Sequence, residues 1–209
     1  FGAFFNQGQI CMSTERVIVD RKVADAFVER LVAKARTLKA GNPAAPNVVL
    51  GTLESASAAQ RIAALVADAR AHGAALPLGC EVDGAVMQPM IVDGVTRDMK
   101  LYADESFGPV VTVQRVDGDE AALAAANDSE YGLSAAVFSR DIARAMQVAK
   151  RIESGICHIN GPTVHDEAQM PFGGVKASGY GRFGSKASIA EFTDLRWITV
   201  QTAPRHYPI

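Results

Sequence analysis

The sequence predicts an α/β layer architecture with a largely parallel sheet. Short β-branched runs alternate with stretches of helical periodicity, and glycine or proline marks most of the junctions between them. With 209 residues, 48% of them hydrophobic, the chain is long enough to bury a sizeable core without help from disulfides.

In order along the chain, Arg16-Val17-Ile18-Val19-Asp20 alternates as a strand. Residues 21–40 carry Val23, Ala26, Phe27, Leu31 and Ala35 among charges, the pattern of an amphipathic helix, and Gly41-Asn42-Pro43 ends it. Residues 44–53 read as an extended crossing loop, and residues 55–72 as a second helix with Gly73 as its C-cap. Apolar runs at 75–78 and 86–95 read as strands joined by turns. An acidic, aromatic stretch at 98–108 leads into a strongly β-branched strand at 110–116 and a short alanine-rich helix at 120–127. A strand at 134–139, a helix at 141–153 stopped by Gly155, and a buried strand at 156–160 complete the pattern.

Residues 161–184 hold eight glycines or prolines and little periodicity, and a loop of that length in a compact domain is usually functional. The tail turns β-like at Arg196-Trp197-Ile198-Thr199-Val200 and is expected to reach a neighbouring subunit, because a lone strand after a closed α/β unit has little to pair with.

Composition excludes several classes of function. The net charge is −2, without a basic run or interleaved aromatics, so nothing points to nucleic acid. No apolar stretch is long enough to span a membrane. Cys11, Cys80 and Cys157 are odd in number and lack any C-x-x-C pair, which speaks against a disulfide framework or a metal site and fits reduced thiols in the cytoplasm. The apolar opening Phe1-Gly2-Ala3-Phe4-Phe5 reads as the inside of a helix or core segment, as expected for the later part of a longer polypeptide.

Chemistry concentrates in three stretches. Asn6-Gln7-Gly8-Gln9-Ile10-Cys11 sets a thiol directly after a polar, glycine-containing bend, which can bring Sγ to the rim of a cleft and leave the Cys11 N–H free for an oxyanion. A small apolar side chain at a strand start is the plainer use of such a cysteine. In Glu105-Ser106-Phe107-Gly108-Pro109 a carboxylate suited to a diol lies two positions from a ring suited to a flat heterocycle; a capping acid and a core phenylalanine fit the same letters. Pro171-Phe172-Gly173-Gly174-Val175-Lys176, with Ser178-Gly179-Tyr180-Gly181-Arg182, can carry backbone close to a ligand or serve as a surface crossover. A cysteine hydrolase is the competing arrangement, with His158 or His165 activating Cys11 and Asn160 or Asp166 orienting the histidine. His158 falls in a buried strand and reads as a core histidine, and His165-Asp166-Glu167 reads as a solvated loop.

Together the three stretches resemble the aldehyde dehydrogenase superfamily: its active-site cysteine motif at Asn6 to Cys11, its E-x-F-G-P motif at Glu105 to Pro109, and its P-F-G-G…S-G motif at Pro171 to Gly174 with Ser178-Gly179. Asn127 and Tyr131-Gly132-Leu133-Ser134 fall between them in family order, and Gly161-Pro162-Thr163-Val164-His165-Asp166-Glu167 is most similar to the salicylaldehyde, benzaldehyde and vanillin dehydrogenase branch. The resemblance implies a three-layer, open, largely parallel twisted sheet with helices on both faces. Residues 1–195 would form the catalytic domain and residues 196–209 an oligomerisation tail. It also implies Cys11 as nucleophile, Glu105 and Phe107 at the nicotinamide ribose and ring of NAD or NADP, and Ile10, Met12, Val164 and Phe172 at the pocket for an aromatic aldehyde. The intact enzyme would be a homodimer or homotetramer.

In the family the cofactor-binding domain, the general-base glutamate and the oxyanion-hole asparagine precede the cysteine motif, and none of that sequence is among these residues. The chain alone is therefore expected to be a poor dehydrogenase, and an inactive unit that only self-associates is the non-enzymatic alternative. Phe183 stands where many members carry a second glutamate.

Overall fold

The computed structural model of the chain describes residues 1–79 and 81–209; Cys80 lies outside the described residues. After a short 3-10 turn at Phe5–Gly8, strand β1 (Arg16–Asp20) runs into helix α1 (Arg21–Ala35). Helix α2 (Ala56–Ala71) is followed by β2 (Ala75–Leu78), the two-residue pair β3 (Val82–Asp83) and β4 (Val86–Met87), and β5 (Met90–Asp93). A single helical turn, α3 (Lys100–Ala103), precedes β6 (Val110–Val116) and α4 (Gly118–Asn127). The remainder comprises β7 (Tyr131–Gly132), β8 (Ser134–Val137), α5 (Ile142–Ala149), β9 (Ile156–Ile159), β10 (Val175–Lys176) and α6 (Ser185–Phe192).

The main sheet has the order β1-β6-β5-β2. β6 pairs in parallel with β1, from Arg16 opposite Thr112, and with β5, from Met90 opposite Val110. Only the edge strand β2 is antiparallel. Because side chains alternate across a strand, the two faces of β5 and β6 feed two cores. Met90, Val92 and Val110 pack with Ile62, Leu65 and Val66 of α2, while Ile91, Val111 and Val113 pack with Ala24, Val28 and Val32 of α1 and with Phe4. That is the predicted three-layer arrangement, with helices on both faces. A second pair, β8 and β9, is also parallel, as its crossover helix α5 requires.

Local chemistry explains the helix ends. Asp20 accepts from the Lys22 N–H at 2.9 Å and Ser55 from the Ala58 N–H at 3.1 Å, side-chain caps that fix where α1 and α2 begin. Arg16 reaches from β1 to the last turn of α4, donating to the carbonyls of Ala125 and Asp128, so one cation satisfies two orphan acceptors there.

Two sequence expectations need correction. The buried stripe of α1 is Ala24, Val28, Val32 and Ala35, and Val23 is 56% exposed. Apolar residues come in adjacent pairs along this helix (Val23-Ala24, Phe27-Val28, Leu31-Val32), so periodicity cannot choose between neighbouring stripes; the phase set by the Asp20 cap does. Residues 189–192, expected to open the β-like tail, belong instead to α6, which begins at Ser185. The run Arg196 to Val200 pairs with no strand among the described residues, and Trp197 is 91% exposed.

Ile62 is fully buried between α2 and β5, and its Cδ1 also lies against Gly108. Ile62→Ala is expected to cost about 2–5 kcal/mol in a urea-unfolding comparison, the range for emptying a sealed core position.

Candidate active site

The segment before Cys11 owes its shape to three successive left-handed residues, Asn6 (φ 50°), Gln7 (φ 58°) and Gly8 (φ 71°). Asparagine and glycine tolerate this region, whereas glutamine there is strained and has to be held by its surroundings. The holding contact is backbone on backbone: a Cβ placed on Gly8 would lie 2.0 Å from the carbonyl oxygen of Gly108. The cysteine motif therefore packs directly on the Glu105 to Pro109 turn at a position only glycine can fill.

Cys11 and Met12 occupy the two central positions of a tight turn closed by the Ser13 N–H donating to the Ile10 carbonyl at 2.8 Å. Cys11 is exposed, Ile10 and Met12 are half-buried, and the Cys11 N–H donates to no acceptor among the described residues. Four residues on, Glu15 binds the same turn from its other side. Its Oε2 accepts from the Ser106 N–H at 3.2 Å and the Ser106 hydroxyl at 2.7 Å, and its Oε1 from the Phe107 N–H at 3.0 Å. Burial pushes the Glu15 carboxyl up, the hydrogen bonds from Ser106 and Phe107 pull it down, and the charge of Glu105 adds to the upward push. Arg61 of α2 completes the grip, donating to the carbonyls of Glu105 at 3.2 Å and Ser106 at 2.7 Å.

With its peptide groups so engaged, the turn leaves Ser106 fully buried and turns the side chains of Glu105 and Phe107 outward to solvent. Phe107 itself is left-handed, at φ 50°, a conformation an aromatic residue adopts only under constraint. An exposed carboxylate and an exposed ring two residues apart on a rigid turn are suited to a polyol beside a planar ring.

The loop after β9 joins the site at one point. The Thr14 and Thr163 hydroxyls lie 2.7 Å apart, and the Thr163 carbonyl accepts from Ser134 of β8, which brings half-buried Val164 to the segment following Cys11. Phe172 is engaged elsewhere: it bridges Phe183 through both backbone hydrogen bonds, at 2.7 and 2.9 Å, with ring centroids 5.1 Å apart. Gly173 is anchored at Gly155, where a Cβ would fall 1.8 Å from the Gly173 carbonyl oxygen.

The hydrolase arrangement has no support. None of the hydrogen bonds among the described residues joins Cys11 to His158 or His165. The two rings instead meet edge to face at 5.2 Å, and burial foremost, with His165 beside it, pushes the His158 pKa down. Cys157 is half-buried and its thiol is pushed up by that burial.

The aldehyde dehydrogenase family model matches residues 1–198. The chain belongs to the aldehyde dehydrogenase family. It is 66% identical to a vanillin dehydrogenase of Pseudomonas fluorescens over its full 209 residues and 48% identical to a salicylaldehyde dehydrogenase of Pseudomonas putida. It spans 43% of the length of each of these relatives. A crystal structure of a Pseudomonas putida salicylaldehyde dehydrogenase complexed with salicylaldehyde superposes with a TM-score of 0.94 at 48% identity, covering all of this chain and 43% of that one. A betaine aldehyde dehydrogenase of Staphylococcus aureus in complex with NAD+ gives 0.85 at 33% identity, over 91% of this chain and 39% of that one. The fold of this family member is thus the aldehyde dehydrogenase fold.

Glu15 and Arg61 are the residues of the site that sequence reasoning missed. A glutamate between Thr14 and Arg16 and an arginine on a polar helix face carry no local signal of a shared partner 44 to 92 positions along the chain.

Gly8→Ala is expected to prevent stable folding or to cost more than about 4 kcal/mol, since it adds a clash with Gly108 to left-handed strain. Gly73→Ala, left-handed in open space, is expected to cost only about 1–2 kcal/mol. Thermal melts of both variants check the difference.

Proposed function

We propose that this chain carries the nucleophile of an NAD(P)+-dependent aldehyde dehydrogenase acting on aromatic aldehydes. The observation that carries the reading is Cys11, exposed on a turn packed by Gly8 and Glu15 against the Glu105–Phe107 turn.

In this reading the Cys11 thiolate attacks the aldehyde carbonyl carbon, forming a C–S bond and an alkoxide. The free Cys11 N–H stabilises that developing charge, because a donor already fixed by the turn needs no reorganisation when the charge appears. A bound nicotinamide cofactor supplies the hydride acceptor. The described residues fit it: Glu105 offers two acceptor oxygens to a ribose diol, Phe107 an exposed ring face, and the turn's peptide groups are already held by Glu15 and Arg61. Loss of hydride leaves a thioester on Cys11, which water hydrolyses to the carboxylic acid, releasing the thiol.

Ile10, Met12 and Val164 supply apolar surface around the thiol for an aromatic ring, and the Phe172–Phe183 pair is the further apolar surface that the family resemblance assigns to the pocket. The resemblance to vanillin and salicylaldehyde dehydrogenases supports this substrate class. Residues 1–195 act as the catalytic domain. The exposed apolar side chains of the tail, Trp197, Ile198 and Val200, support self-association of the intact enzyme through residues 196–209. The 209 residues by themselves are expected to turn over slowly.

The test follows the absorbance of reduced cofactor with vanillin or benzaldehyde and NAD+. It compares this chain with the longest natural polypeptide that contains it. Cys11→Ala should lower turnover in the longer protein by at least about 10⁴-fold, the scale for removing a covalent nucleophile, and Cys157→Ala should leave it within about twofold. Activity that survives Cys11→Ala would refute the reading. An electrophile such as iodoacetamide should label Cys11 well before Cys157, whose thiol is buried and held up in pKa.

A further inference from the structure

Glu15 is half-buried and sits four residues from the proposed nucleophile, yet nothing in the proposed reaction uses it. Withdrawing a carboxyl group from water is costly unless its oxygens are satisfied, and among the described residues one turn meets that condition. All three of its hydrogen-bond donors, the Ser106 N–H, the Ser106 hydroxyl and the Phe107 N–H, belong to the turn bearing Glu105 and Phe107. On the other side of the same turn, Arg61 takes the carbonyls of Glu105 and Ser106. The Glu15 main chain is held as well: its carbonyl accepts from the Thr112 N–H at 2.9 Å and the Thr112 hydroxyl at 3.0 Å, anchoring it to β6.

We propose that Glu15 is a positioning residue for cofactor binding: by fixing the peptide planes on either side of Ser106, it sets the aim of the Glu105 carboxylate and the Phe107 ring relative to the Cys11 turn. The proposal rests on the reading of Glu105 and Phe107 as the nicotinamide-ribose contacts.

The chemistry of the clamp makes the carboxylate hard to replace. Three converging donors need at least two acceptor oxygens. A glutamine in the same place offers one, and turns an NH2 group toward an N–H that then has no acceptor. Phe107 would be the first to respond, since its backbone is left-handed and its N–H bonds directly to the Glu15 carboxylate. A relaxed Phe107 backbone swings both its own ring and the Glu105 side chain, while the Gly8–Gly108 contact keeps the Cys11 turn in place.

The experiment uses the longest natural polypeptide containing these residues and compares Glu15→Gln and Glu105→Ala with the unsubstituted protein. NAD+ affinity is read by titration calorimetry and backbone exchange at Ser106 and Phe107 by hydrogen–deuterium exchange, with cofactor KM, aldehyde KM, kcat and the rate of Cys11 alkylation alongside. Glu15→Gln is expected to weaken NAD+ binding about tenfold and to speed exchange at Ser106 and Phe107 by a similar factor. Aldehyde KM and Cys11 alkylation should stay within about twofold of the unsubstituted protein. A merely structural role would lower the active fraction, and with it kcat, without moving the cofactor Kd. An unchanged Kd in Glu15→Gln, alongside a weakened one in Glu105→Ala, overturns the proposal and leaves the reading of Glu105 intact. An unchanged Kd in both overturns that reading and the proposal with it. Should Glu15→Gln fail to fold, Ser106→Ala deletes only the hydroxyl bond to Glu15. It is expected to raise the Kd about two- to threefold, and no change there overturns the proposal.

Discussion

The contact on which the rest of the site depends is between two backbones, at Gly8 and Gly108. Side chains can adjust by changing rotamer, but main chains at this separation cannot, so the chain at Gly8 and the chain at Gly108 stay locked together. Each flanking feature is a consequence of accepting that closeness. The left-handed run at Asn6, Gln7 and Gly8 lets the chain approach and leave within a few residues, and Ile62 fills the space behind Gly108 from the core side.

The sheet makes such a contact possible. β6 is the central strand of the main sheet, hydrogen-bonded on both sides, and the Glu105 turn leads directly into it through Gly108 and Pro109. The cysteine turn leads into β1, the parallel neighbour of β6. Two loops that enter adjacent parallel strands emerge at the same end of the sheet, and the register of those strands decides how far apart the loops lie. Parallel topology therefore has a functional consequence here: it places a thiol and an exposed carboxylate, about ninety residues apart in sequence, at the same end of the sheet.

Much of this was legible in the residues, and the failures have physical reasons. β6 and α2 followed from β-branched density and helical periodicity, because those signals are local. The phase of α1 was misjudged because apolar residues come in neighbouring pairs along it. The helix at 185–192 was missed because its small and polar residues make a weak pattern of their own, and its start is held by the Gly184 N–H donating to the Ser188 hydroxyl. Of the site, the three motif stretches were visible as letters, and Cys11, Glu105 and Phe107 stand exposed in the structure. The grip of Glu15 and Arg61 was invisible, because polar side chains bonded mostly to distant main-chain groups leave no periodicity and no composition bias.

The cysteine turn is anchored at its ends and not in its middle. Gly8 secures one side and Glu15 the other, while the side chains of Ile10 and Met12 take no part in either attachment. Under the function proposed, those two positions can change size and polarity without disturbing the backbone that presents the thiol. A scaffold with this division of labour can acquire a new substrate by single substitutions that leave folding almost untouched. The same substitutions made at Gly8 or Glu15 would first have to solve the fold again.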